Sequence, residues 1–167
     1  MPSLMVLRGL PGCGKSILSS TLVAQDWLRF NRDSLREMIS LKKFKRFKDD
    51  MTVYMMRHGI TEALVRGLDV VVDNDHLDPE HIKIVYECFS TASFIRSEKG
   101  IYEKIYYELN EFPIDIDRCI EQDSKRKRGH GHVGEKRILK LYDQWIIDGK
   151  YMPVQSTSLD RSFYGEG

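Results

Sequence analysis

The octapeptide GLPGCGKS, residues 9–16, constrains this chain more than any other stretch. It matches G-x-x-x-x-G-K-[ST] in full. It stands between an apolar run, Leu4 to Arg8 (LMVLR), that reads as a buried strand, and Lys15 to Gln25, which reads as a helix with Ile17, Leu18, Thr21 and Leu22 on one face. The chemistry needs this spacing. Gly9, Gly12 and Gly14 let successive backbone N–H groups turn inward around the β- and γ-phosphates of a nucleotide. Pro11 and Cys13 complete the loop, Cys13 through its backbone N–H rather than its thiol. Lys15 supplies a point charge, Ser16 a hydroxyl for Mg²⁺, and the helix N-terminus a favourable dipole. The ligand implied is ATP, or another nucleoside triphosphate, held with magnesium as a phosphate donor.

The remaining pattern alternates short β-like runs with longer helical ones, as in an α/β domain with a mostly parallel sheet. Trp27 to Phe30 reads as a second strand and Asp69 to Asp73 (DVVVD) as a central one, apolar throughout its interior. Leu41, Phe44, Phe47, Met51, Tyr54, Met55 and His58 recur at helical spacing and read as core. Pro79 opens a helix that Gly100 ends, and Ile105, Tyr107 and Leu109 alternate along a fourth strand. Pro113 starts a further helix, and Ile138, Leu141, Tyr142 and Trp145 lie on the last one. One domain is expected over residues 1–155, with a loosely held tail at 156–167.

Bulk charge excludes little, because 26 basic residues stand against 25 acidic ones; any attraction for a polyanion must be local. The three cysteines, Cys13, Cys88 and Cys119, have no CxxC spacing, which suits a reduced, cytoplasmic protein without disulfides or zinc. There is no run of 18 apolar residues and no leader-like segment, so no membrane partner is expected.

The acceptor side is read from WLRFNRDSLREMI, residues 27–39. The C-terminal end of a second strand lies beside the phosphate loop in open α/β sheets. Asp33 there is suited to accept the proton of an attacking hydroxyl, and Arg36, one turn on, to hold a phosphate of the acceptor. The same residues suit a plain helix start, with Asn31 or Asp33 as its cap. The residue types alone leave the two readings even. N-K-x-D, the base reader of GTPases, is absent.

GLPGCGKS, then NRDSLRE, then VVDNDHLDPE, then DSKRKRG before VGEKRILKLY together resemble the kinase domain of phage T4-type polynucleotide kinases, from about Leu4 to Tyr142. That family carries the loop, N-R-D-x-x-R, a strand ending near D-x-N-L-x-P-E, and a lid arginine before V-[PG]. The resemblance implies a P-loop kinase fold, a parallel β-sheet flanked by helices on both faces with a short helical lid at about 124–133. It implies transfer from ATP to the 5′-hydroxyl end of DNA or RNA, and a phage or other viral origin. Asp33 is then the general base and Arg36 grips the acceptor's 3′-phosphate. The acid after the third strand falls on Asp73, by the strand end, or on Asn74, by ungapped alignment. Asp73 would hold the magnesium shell. The lid arginine falls on Arg126, counted from the preceding helix, or on Arg128, counted back from Val133.

Other signals carry less. The basic and aromatic residues of LKKFKRFKDD (41–50) read as one helical face rather than as a base-stacking surface. His130 and His132 lack further ligands and read as lid. Tyr102, Tyr106 and Tyr107 read as strand surface. PIDID at 113–117 is not the D-x-D-G-T of the phosphatase that accompanies T4-type kinases. Two rivals share the loop: a kinase of a small metabolite, nucleoside or sugar nucleotide, and a nucleotide-dependent binding protein or switch.

Overall fold

The computed structural model describes residues 1–39, 46–126 and 132–149, with residues 46–48 described in backbone only. Leu41, Phe44, Phe47, Arg128, His130 and the tail at 156–167 therefore lie outside the described side chains. Four strands, β1 (Ser3–Arg8), β2 (Leu28–Phe30), β3 (Val70–Asp73) and β4 (Tyr106–Glu111), form one parallel sheet in the order β2-β3-β1-β4. Helices α1 (Lys15–Val23), α2 (Arg32–Ile39), α3 (Arg46–Val65), α4 (Pro79–Glu98), α5 (Ile116–Ser124) and α6 (Glu135–Tyr142) connect and flank it. A π-helical turn, Asp143–Ile147, continues α6. Among the described residues no helix is long and apolar enough to cross a membrane.

Strand alternation sorts the core into two layers. Leu4, Val6, Val70 and Val72 face α3 and α4, where they meet Met56, Ile60, Leu64, Val85 and Ala92. Met5, Leu7 and Val71 point the other way, toward Leu18 and Leu22 of α1. Val70, Val71 and Val72 are fully buried. Each contributes about 1.5–3 kcal/mol relative to exposure, which holds β3 at the centre of the sheet. A third cluster forms beyond the strand ends, where Leu10, Leu77, Cys119 and Ile138 join the phosphate loop to α5 and α6. Gly59 is needed for close packing, since a Cβ there would stand 2.4 Å from the Phe30 ring.

Four expectations are corrected. On α1, Ile17 and Thr21 are exposed, and of the four expected residues Leu18 and Leu22 turn to the sheet. On α3 the buried stripe is Thr52, Met56, Ile60, Ala63 and Leu64, whereas Met51, Tyr54, Met55 and His58 lie on the outer side. The helical period holds but its phase is set by α4 and the sheet, which take the 52/56/60 face. Helix α5 starts at Ile116 rather than Pro113, because the Asp115 carboxylate caps it by accepting from Arg118 N at 3.0 Å. Tyr107 is no surface residue: it packs against the core and meets Tyr86 edge-on at 5.6 Å.

Candidate active site

The loops after β1, β2 and β3 open at one end of the sheet, where parallel α/β sheets bind ligands. Together with the lid they line a cleft of about 510 Å³. The phosphate loop forms its floor. Gly12 has φ +88°, a conformation open to glycine but not to other residues, and a Cβ there would lie 2.2 Å from the carbonyl oxygen of Cys119. The loop thus leans directly on α5. No side chain caps α1, which suits an anion at this helix N-terminus.

Lys15 is buried, and its ammonium donates to the carbonyls of Gly9 (2.8 Å) and Leu10 (2.9 Å) while pairing with Asp75 at 2.9 Å. Ser16 is exposed at the cleft. Burial pushes the Cys13 thiol up, against the pull of neighbouring Lys15, and pushes Cys119 up to about 11. Both thiols are protonated at neutral pH.

The second loop supplies the opposite wall. Asn31 caps α2: its Oδ1 accepts from Ser34 N at 2.9 Å and from Ser34 Oγ at 3.0 Å. Asp33 is therefore not the cap. Its carboxylate is largely exposed on the cleft wall, where it pairs with Arg36. Arg36 also donates through Nε (2.9 Å) and Nη2 (2.8 Å) to Asp49, which in addition holds Arg32. Burial pushes the Asp49 carboxyl up, but hydrogen bonds and charge from Arg32 and Arg36 outweigh it and hold the group below the usual aspartate range. Asp49 thus stays ionised and keeps both guanidiniums in place.

The third loop carries Asp73, Asn74, Asp75 and His76. Asp73 is buried; its Oδ2 accepts from Ser19 Oγ (2.8 Å), Arg29 Nε (2.9 Å) and Arg29 Nη2 (2.5 Å). Asn74 accepts from Arg32 N at 2.9 Å, tying the second and third loops together. His76 has φ +47° and is fully buried, with Nδ1 2.7 Å from the Leu7 carbonyl oxygen and, among the described residues, no partner at Nε2. Burial lowers its pKa to about 4.

One carboxylate ties the end of α5 to the start of α6. Asp123, at the end of α5, is buried and accepts from Val133 N (3.0 Å) and Gly134 N (2.8 Å), the start of α6. His132 Nδ1 stands 3.1 Å from the same group, so this histidine is lid structure. Arg126 lies next to the clamp and lines the cleft.

Of the residues singled out in the sequence, Pro11, Gly12, Lys15, Ser16, Asp33, Arg36, Asp73, Asn74 and Arg126 all line this one cleft. Gly9, Cys13 and Gly14 complete the loop behind it. Arg29, Asp49, Asp75 and Asp123 were given no role in the site from the sequence, although they stand inside the quoted stretches; each acquires its meaning from a partner distant in sequence.

A family model described as an AAA domain matches residues 4–141. None of the curated proteins matches the sequence. Among solved structures, a chain of the Pnkp1/Rnl/Hen1 RNA repair complex is similar, with TM-score 0.62 and 19% identity over 91% of this chain and 46% of that one. This chain thus spans less than half the length of that relative. A structure from Chloroflexus aurantiacus, described as a candidate kinase, gives TM-score 0.62 and 16% identity over 87% of this chain and 79% of that one. At such identities the likeness is one of fold, and that fold is P-loop kinase-like.

Proposed function

We propose, for a chain that belongs to this AAA domain family, that it transfers the γ-phosphate of ATP to the 5′-hydroxyl end of DNA or RNA. The observation that carries the reading is the meeting of Lys15, Asp33 and Arg36 in one cleft, with Asn31 relieving Asp33 of the capping role. The motif order NRDSLRE and VVDNDHLDPE behind the loop supports a polynucleotide acceptor over a small metabolite.

The chemistry assigned to the side chains is positional and electrostatic. Asp33 takes the proton of the attacking hydroxyl as the new O–P bond forms and the bond from the γ-phosphorus to the bridging oxygen breaks, with ADP leaving. Lys15 and the lid arginine, Arg126, balance charge spreading over the phosphoryl oxygens, and Arg36 fixes the acceptor through its phosphate. Among the described residues no group of three His, Cys, Asp or Glu could hold a metal ion alone. The hard oxygen donors Ser16, Asp73 and Asp75 suit Mg²⁺, which takes one or two protein oxygens and completes its shell from nucleotide phosphates and water. Bound there, it would supply charge neutralisation.

The test uses γ-labelled ATP with magnesium and three acceptors: a 5′-hydroxyl oligonucleotide, a nucleoside 3′-monophosphate and a plain nucleoside. Label on the first two and not the third is expected. Asp33→Asn should keep ATP affinity and lose about 10²–10⁴-fold in rate, the range of a positioned base. Label on none of the three, with ATP bound, would overturn the polynucleotide acceptor.

A further inference from the structure

We propose that Arg29 is a phosphate-contacting residue of this site, a second guanidinium that meets the donor's terminal phosphoryl group from the sheet side, opposite the lid. The proposal rests on the phosphotransferase reading above but not on the identity of the acceptor.

A second cleft of about 1040 Å³ runs beside α1, between Ile17, Ser20 and Thr21 on one side and Gln122 of α5 and Lys125, just past its end, on the other. Three residues line both clefts: Ser16, Arg29 and Arg126. A polyphosphate that follows the loop as far as the Ser16 hydroxyl therefore arrives between two guanidiniums, one rising from β2 and one from the end of α5.

Arg29 is built to present charge at that divide. Its Nε and Nη2 both donate to Asp73 Oδ2, at 2.9 and 2.5 Å, which fixes the plane of the guanidinium. Asp73 is 2% exposed, yet the Arg29 side chain is 32% exposed. The acid is buried as an anchor while the cation stays accessible. No hydrogen-bond partner of Arg29 Nη1 is found among the described residues, which leaves those donors to the cleft. An ion pair with one buried partner is weak as a stabilising device. As a preorganised donor it needs no rearrangement when charge develops on a phosphoryl oxygen. The arrangement also repeats: Lys15 stands against Asp75 at 2.9 Å, Arg29 against Asp73 at 2.5 Å, and Arg126 near Asp123 at 4.0 Å. These three cations of the cleft each stand beside a carboxylate.

The deciding measurement is the equilibrium affinity for MgATP and MgADP of wild type, Arg29→Met, Asp73→Asn and the double variant, alongside single-turnover transfer. Arg29→Met should leave ADP affinity within about twofold, lower the preference for ATP over ADP about tenfold, and slow transfer by 10–100-fold, as expected for one charge-assisted donor. Because Arg29→Met strands a buried carboxylate, the step from Asp73→Asn to the double variant reads the same effect with no unpaired charge left behind. An unchanged ATP-to-ADP ratio in that step, or equal loss on both nucleotides, would make Arg29 a strut of the fold and overturn the proposal. Wild type that binds neither nucleotide would instead sink the phosphotransferase reading, a result the variants cannot mimic.

Discussion

Gly12 leaves no room for a side chain, and that one position couples the cradle to the lid helix. Gly12→Ala would drive a methyl group into the Cys119 carbonyl at a backbone angle that L-residues rarely adopt. Nucleotide affinity should fall by at least tenfold, measured by titration, with the melting temperature lowered as well. His76 makes a second prediction. The unfolded chain protonates this ring below about pH 6.5, while the folded chain does so only below about 4. Acid therefore favours unfolding: the His76 contribution is intact above pH 6.5 and lost as pH falls from 6.5 toward 4, roughly 3 kcal/mol over the window. In thermal melts His76→Asn, which tolerates the positive φ, should flatten that slope; an equally steep fall would place the acid sensitivity elsewhere. At this scale the sequence was readable where a motif dictates a side chain's neighbours, as with Lys15 beside its own loop. It was silent for Arg29, Asp75 and Asp123, ordinary surface residue types until tertiary folding sets a charged partner against them.

Elements were legible by period more than by phase. The apolar interior of DVVVD marks β3 because a strand between two others must bury both faces. The regular apolar spacing of residues 51–58 announces a helix, but which stripe turns inward depends on where α4 and the sheet sit, and Met51, Tyr54 and Met55 remain outside. Pro113 misplaced the start of α5 for a local reason, since a capping carboxylate at Asp115 outranks a nearby proline. The lid shows how one residue can join two elements. Asp123→Asn removes the charge that gathers the N–H groups of Val133 and Gly134 at the start of α6. It should cost about 1–3 kcal/mol in denaturant melts. Single-turnover transfer should slow more than ATP affinity falls, because the lid arginine is assigned to the transition state. Equal losses in rate and affinity would separate the clamp from the lid's catalytic part.

For the molecule as a whole, a net charge of +1 means that attraction for a nucleic acid must come from local groups and not from the surface at large. Among the described residues of the cleft, Arg32 and Arg36 share Asp49, so few of its cations are available to replace counterions along a strand. Oligonucleotide affinity should accordingly depend weakly on salt, with a log–log slope of about −1 to −2, as for one to three phosphates on a single strand. A slope near −5 would reveal an extended basic track. The pairing of Lys15 with Asp75 has a wider consequence. Asp75 is a competitor that never diffuses away, tethered at an effective concentration on the order of millimolar or more. A small free anion meets that rival one-to-one and gains little by displacing it. A polyphosphate engages several loop N–H groups at once and so displaces the carboxylate readily. Discrimination against the small anions of the surroundings then comes from an internal competition, without any need for a tighter shape.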